Sequence, residues 1–353
     1  MQFVSSNERS IMSLQTASSI ATPMQLLGMT HGLVIHQALY SVATLGVADL
    51  LKDGPQTSSE LARNLKVDES ALYRILRLLA SQNVFEETSP RVFANSELSL
   101  FLRTGVPGSV RSVLIFRGSE FFFGPFAEIL YSIETGRAAR AKMYGMEAFE
   151  YMKTHPETAR VFDDAMTNMS ELVGPAVATA YDFGKWGSLM DVGGGNGMLL
   201  ASILRAHPEL RGVLADLPHT LERARQCGLL GGELASRTTM RPCDFFREVP
   251  SGCRAYVMKH VIHDWDDERA QNILANCRRA VPADGVLLLV EWVLPEGNAP
   301  SAGKFADVVM LLMTGGKERT LEEYRQLLRR AGFRLNQVIP TSPDLGIIEA
   351  LSD

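Results

Sequence analysis

Only four cysteines, Cys227, Cys243, Cys253 and Cys277, occur among the 353 residues, and none stands in a C-x-x-C pair or at metal-ligand spacing. That rules against a disulfide framework and predicts reduced, structural thiols in a cytoplasmic protein. No apolar run approaches the ~18 residues of a membrane-spanning helix. The opening MQFVSSNERS lacks the charged-then-apolar build of a secretion signal. An excess of positive charge is missing as well. The formal net charge of -5 argues against a chain whose main partner is nucleic acid or an anionic membrane. A last absence is local. Gly193-Gly-Gly-Asn-Gly197 follows a short apolar run, but Met198 stands where the third glycine of the G-x-G-x-x-G dinucleotide fingerprint would fall.

What is present is a strand, Leu189 to Val192, running through that glycine loop into a helix that starts at Met198. Such a turn lets a ligand approach the backbone and leaves free N–H groups at the helix start. A nucleoside-like ligand other than NAD is expected there. Strand and helix patterns then alternate, predicting an α/β fold with a doubly wound, Rossmann-like sheet. Asp216 ends the next strand about 20 residues on, where an acid can bind a ribose diol. Asp244-Phe245 and Lys259 end the following strands. His260 and His263 form H-x-x-H, but no third ligand follows at metal spacing, so no metal is expected. Glu291 sits inside the apolar strand Val286 to Val293 and requires a partner or a chemical task. Phe333 to Ile339 and Ile347 to Leu351 read as an antiparallel pair that closes the chain.

Upstream, residues 1–22 read as a polar arm, and Pro23 to Leu51 as two apolar helices broken near Gly46. Thr57-Ser-Ser-Glu60 is a capping box, Glu69 to Ser81 a second amphipathic helix, and the segments around Phe85 and Phe93 a hairpin. This is a winged-helix pattern. DNA binding is disfavoured, because the second helix offers only Arg74 and Arg77 and the wing carries Glu86 and Glu87. A dimerisation module fits the apolar residues 24–51 better. Residues 98–187 read as helical, with breaks that include Pro156 and Gly174-Pro175. Their aromatic and thioether side chains, among them Phe162 and Met166, suit a pocket for a flat apolar ligand. The expected organisation is a dimerisation domain over 1–105, a helical pocket region over 106–187 and a catalytic domain over 188–353.

Six motifs in one order make a family pattern: Asp191-Val-Gly-Gly-Gly-Asn-Gly197, Ala215-Asp-Leu-Pro-His219, Asp244-Phe245, Met258-Lys259, His263-Asp-Trp-Asp-Asp-Glu268 and Gly315-Gly-Lys-Glu-Arg-Thr320. Across nearly the whole chain this resembles the S-adenosylmethionine-dependent O-methyltransferases of the plant caffeate and flavonoid type. Bacterial relatives that methylate aromatic polyketides and antibiotics are the nearer match. The resemblance implies a class I methyltransferase sheet, a homodimer, S-adenosylmethionine as cofactor and a small hydroxylated aromatic acceptor. Asp191, Gly193, Gly195, Asp216, Asp244, Phe245 and Lys259 match the cofactor-binding positions. His263 matches the general base, Glu291 and Glu318 the two acids flanking it, and Met310 and Met313 substrate-facing positions beside Phe162 and Met166. One departure stands out: Met313-Thr314 replaces an asparagine-proline found in the plant enzymes. Some relatives use the sulfonium without methylating, in hydroxylation, decarboxylation or ring-forming chemistry, and that reading stays open at this point.

Overall fold

The computed structural model describes residues 22–341 and 345–353, so the arm expected over residues 1–22 falls, except for Thr22, outside the described residues. Pro23–Met29 (α1) and His31–Leu45 (α2) form the first apolar stretch. Gly46 breaks it in the left-handed region at φ 72°, as expected, and a second break falls at Thr30. Met24, Leu26, Leu27 and Met29 are each more than half exposed, leaving α1 with an uncovered apolar surface.

Gln56–Thr57 (β1) leads into Ser58–Leu65 (α3), whose capping box is formed as read. Glu60 N–H donates to Thr57 Oγ1 at 3.1 Å, and Thr57 N–H donates to Glu60 Oε2 at 2.8 Å. Asp68 caps Glu69–Ser81 (α4). Phe85–Ser89 (β2) and Val92–Asn95 (β3) make the hairpin, and β1 adds a third strand that the sequence did not announce. Leu61, Leu72, Leu76, Leu79, Phe85 and Phe93 form this unit's core.

The middle of the chain is helical: Arg111–Gly118 (α5), Ala139–Tyr144 (α6), Ala148–Thr154 (α7) and Pro156–Ala180 (α8), with the shorter helices Glu120–Phe123 and Ile129–Thr135 lying between the first two. Here one expectation is corrected. Gly174-Pro175 does not break the chain, because α8 runs straight through it for 25 residues. A proline inside a helix normally costs ~3 kcal/mol. The packing explains its tolerance: a Cβ at Gly174 would lie 2.6 Å from Ser202 Oγ, so the glycine permits a close crossing that holds the helix together.

From residue 188 the chain alternates strand and helix: Ser188–Val192 (β4), Met198–Ala206 (α9), Arg211–Asp216 (β5), Pro218–Cys227 (α10), Thr238–Pro242 (β6), Ala255–Lys259 (β7), Asp267–Ala280 (α11) and Val286–Leu294 (β8). Ala302–Met313 (α12), the short Arg319–Thr320 (β9) and Leu321–Arg330 (α13) lead to the closing pair Phe333–Pro340 (β10) and Leu345–Ser352 (β11). The order across the sheet is β10-β11-β8-β7-β4-β5-β6, with β9 beside β8. Strands β8 to β6 run parallel, and β10 and β11 are antiparallel. Both faces are covered. Leu287 and Leu289 pack into one core and Val286, Leu288 and Val290 into the other, which is why β8 reads as an unbroken apolar run. The order reverses between β7 and β4. Such a switch point opens a crevice at the carboxyl ends of the strands.

Candidate active site

The glycine loop occupies that crevice. Gly193 and Gly195 have φ of 71° and 59°, a conformation that L side chains rarely adopt. Gly193 N–H is tied back to Ala215 O at 2.8 Å, and a Cβ on this glycine would meet Val261 and the Phe245 ring at 3.1 and 3.4 Å. A Cβ on Gly195 would meet nothing within 4 Å, so the loop is open at this residue. Asp216, at the end of β5, accepts from Gly195 N–H at 2.9 Å and from Leu217 N–H at 2.7 Å. Burial pushes its pKa up and those N–H groups pull it back. Asp244 is half-exposed just beyond β6 and accepts from Phe246 N–H at 3.1 Å.

Asp191 is placed differently from the other loop residues. It is buried beneath the loop, where a Cβ on Gly194 would be 2.5 Å from its Oδ2, and that oxygen has no hydrogen-bond partner among the described residues. Burial lifts its pKa to about 7 against the pull of Lys259. Lys259 ends β7 next to β4, and burial lowers its pKa against the opposing attraction of Asp191 and Glu291.

His263 lies in the turn after β7, buried to 8 % exposure. Its Nδ1 is 2.6 Å from Glu318 Oε1 and 3.9 Å from Glu291 Oε2, and its Nε2 is 3.9 Å from Asp264 Oδ1. The short Glu318 contact assigns the Nδ1 proton to that bond, so Nε2 is the nitrogen that becomes an acceptor once the imidazolium gives up its second proton. Burial works to lower the His263 pKa, but Glu291, Asp264 and Glu318 outweigh it and hold it up to about 10. Glu291 answers the question its sequence position raised. Its Oε1 accepts from the N–H groups of Val261 and Ile262 at 3.0 and 2.9 Å, fixing the turn that carries His263. Glu318 is placed by its own N–H, which donates to Asp307 Oδ1 at 2.9 Å.

Gly316 shows how closely these segments meet. A Cβ there would lie 2.0 Å from His263 O, a backbone atom with no room to retreat. Gly316→Ala is therefore expected to displace the His263 turn and cut turnover at least tenfold while the circular dichroism spectrum stays native. Unchanged turnover in this variant would mean that the turn's position does not matter.

The helical region forms the opposite wall. Phe121, Met152 and Met313 are buried in one cluster, against which Tyr144, Phe149, Phe162 and Met166 pack. Phe149 reaches across to Trp265 at 5.4 Å between ring centroids, and Trp265 lies 4.7 Å from Phe246 and 6.3 Å from Phe245. Three of the four expected pocket residues, Phe162, Met166 and Met313, thus belong to this wall. Met310 lies outside the cluster, with its carbonyl closing the turn at Thr314 and Gly315.

Several residues with a part here were not singled out from the sequence. Arg319 is fully buried and donates to Ile262 O, Trp265 O, Lys317 O and Asp267 Oδ1, all within 3.2 Å, pinning the segment on both sides of His263. Its place in the Gly315-to-Thr320 motif was the available signal. Asp264 adds a third acid, which burial raises to about 6. Buried Asn196 donates to Thr167 Oγ1 at 3.0 Å, joining the glycine loop to α8. His260, which the sequence offered only as half of an H-x-x-H pair, has φ 51°, and its ring stacks between His263 at 5.1 Å and Trp292 at 5.9 Å. Buried Arg140 gave no signal at all in an alanine-rich stretch.

A Rossmann-like sheet with a glycine loop at its switch point, an acid at the next strand end and a His–Glu pair beside an aromatic wall defines a class I methyltransferase. Comparison with known proteins agrees. Residues 126–334 match the O-methyltransferase domain family and residues 27–105 the O-methyltransferase dimerisation domain. The chain is 41 % identical to a phenazine O-methyltransferase of Lysobacter antibioticus over 95 % of its own length and 97 % of that protein's. Against the mitomycin biosynthesis 6-O-methyltransferase of Streptomyces lavendulae it is 33 % identical, over 92 % of this chain and 93 % of the relative. A phenazine-1-carboxylate N-methyltransferase of Pseudomonas aeruginosa is 31 % identical over 94 % and 98 %. The crystal structure of the neocarzinostatin O-methyltransferase with S-adenosylmethionine and 2-hydroxy-5-methyl naphthoic acid superposes with a TM-score of 0.80 at 32 % identity, over 96 % of this chain and all of that one. The chain belongs to the S-adenosylmethionine-dependent O-methyltransferase family of secondary metabolism.

Proposed function

We propose that this enzyme transfers a methyl group from S-adenosylmethionine to a hydroxyl of a flat aromatic natural product, with His263 as the base that takes the hydroxyl proton. The 2.6 Å contact between His263 Nδ1 and Glu318 carries this reading. When bound, S-adenosylmethionine supplies an electrophilic methyl on a sulfonium. The residues present fit that cofactor. Gly195 leaves open space at the loop, the end of β5 presents a carboxylate, and Phe245 lies against Gly193 as an apolar face for a flat ring. Gly193, Gly195 and Asp216 would hold its amino-acid and ribose parts, Asp244 and Phe245 its base. Asp191 and Lys259 would support the loop from below.

The chain's own side chains do the remaining work. Phe162, Met166, Met313 and Trp265 exclude water and orient an aromatic acceptor, and holding the oxygen in line can supply ~7–11 kcal/mol of the barrier. A placed base adds roughly 10²–10⁴-fold. Glu318 fixes the ring orientation and stabilises the imidazolium, as in other His–carboxylate pairs. The apolar face of α1 and the matched dimerisation family support a homodimer, and four free cysteines support a cytoplasmic setting.

The test is incubation with S-adenosylmethionine bearing a labelled methyl and a panel of flat hydroxyarenes, read by mass spectrometry and NMR. One labelled methyl on oxygen is expected. Label on nitrogen would move the acceptor to an amine, and loss of carbon dioxide or gain of oxygen without label would establish a non-methylating reaction instead. His263, Glu291 and Glu318 also offer ligand atoms within 4.8 Å of one another. Because the same groups suffice for proton transfer, turnover is expected to survive treatment with EDTA, and loss restored by a divalent cation would overturn the metal-free mechanism.

A further inference from the structure

Arg140 is 4 % exposed in the helical wall and has no carboxylate oxygen within 4.0 Å among the described residues. Its contacts are poor ones for a cation. One terminal nitrogen points at the Met313 sulfur, the guanidinium carbon lies 4.0 Å above the Phe121 ring, and Nε has no hydrogen-bond partner among the described residues. A guanidinium carries five donors in a planar fork and does not shed its charge. Burying such a group without an anion is costly, so its retention at this place calls for a function.

The place is informative. Arg140 is the second residue of α6, two residues after Ala138, whose backbone nitrogen lies 3.9 Å from where a Cβ on Gly315 would be. Gly316 in turn touches His263 and Asp264. The helix that carries Arg140 thus meets the segment that abuts the His263 turn, and the guanidinium lies against the side chains of Phe121 and Met313. Of the site's acids Asp264 is the one that exerts an attraction on it, and Asp264 is not close enough to satisfy it.

We propose that Arg140 is a specificity-determining residue that receives a carboxylate on the aromatic acceptor, so that the substrate class is a planar hydroxylated aromatic acid. This rests on the aromatic-acceptor reading above. A carboxylate can take two parallel N–H bonds from the fork, and the flexible Met313 thioether can swing aside to admit it. The hydroxyl of the same molecule is then left for His263.

The test uses the full chain saturated with S-adenosylhomocysteine and measures binding of matched probes: a hydroxynaphthoic acid, its methyl ester and the parent naphthol. The wild type is expected to bind the acid at least tenfold more tightly than either neutral probe. Arg140→Met, which fits the apolar surroundings, is expected to erase that preference while keeping affinity for the naphthol and for S-adenosylhomocysteine. Arg140→Lys is expected to retain part of it. Equal binding of the three probes by the wild type, or a preference that persists in Arg140→Met, would overturn the proposal, as would an equal loss for acid and naphthol. The two readings fail separately: acid preference without methyl transfer to any hydroxyl would sink the reaction assigned above and leave the Arg140 site standing.

Discussion

His263→Ala is expected to slow methyl transfer by roughly 10²–10⁴-fold, the usual contribution of a placed base, with no change in the affinity for S-adenosylhomocysteine. The separation follows from the geometry. The residues proposed to hold the cofactor lie on the glycine loop and at the ends of β5 and β6, whereas His263 is on the turn after β7 and faces Glu318 and Asp264. Alanine at this position leaves Glu318 without its partner, so His263→Asn, which can still donate to that carboxylate, is the better-folded companion. Both variants should fall alike in single-turnover rate and bind the cofactor product like the wild type in calorimetry. Turnover near the wild-type value in either would remove His263 from the chemistry.

Glu291→Leu is expected to be the most destabilising single change in the site, at roughly 3–5 kcal/mol. Two buried N–H groups, those of Val261 and Ile262, depend on Glu291 Oε1. Each loses its acceptor on substitution, at ~1–3 kcal/mol for a buried unsatisfied donor. Leucine recovers some of that by filling the apolar space. Glu291→Gln keeps a carbonyl oxygen in the same place and should restore most of the stability, which denaturant melts of the two variants would measure. If leucine and glutamine behave alike, Glu291 is not bracing the turn. The cluster also makes stability depend on pH. The folded His263 pKa of about 10 exceeds its ordinary 6.5, so its contribution is fully present below pH 6.5 and is lost as pH rises toward 10. The melting temperature of the wild type should therefore fall over that alkaline interval more than that of His263→Asn.

The parts of this molecule that were legible in the sequence are those governed by local rules. Thr57-Ser-Ser-Glu60 reads as a capping box because both halves of the box lie within one turn. The glycine loop and the strand-end acid Asp216 read from spacing, and an acid inside the apolar β8 announced itself by its cost. What did not read depends on contacts between distant segments. Gly174-Pro175 looks like a break until α9 packs against it. Asp191 looks like one more loop residue until the fold turns its carboxylate beneath Gly194. The two-residue β1 exists only because β3 comes back beside it. Arg140 is one basic residue among alanines, and only the meeting of α6 with the end of α12 and the His263 turn makes it a buried cation.

The role proposed for Glu318 and its neighbours is to make His263 the proton acceptor. Its most direct test is the pH dependence of the single-turnover rate in the wild type and in Glu318→Gln. In the wild type the rate should climb with pH through one ionisation lying well above 6.5, as the acids that raise the His263 pKa are overcome and the imidazole becomes free to accept. Glu318→Gln removes one of those charges, so its rising limb should move toward acid while its plateau falls. A flat profile, or a limb that stays in place when Glu318 loses its charge, would contradict the assignment.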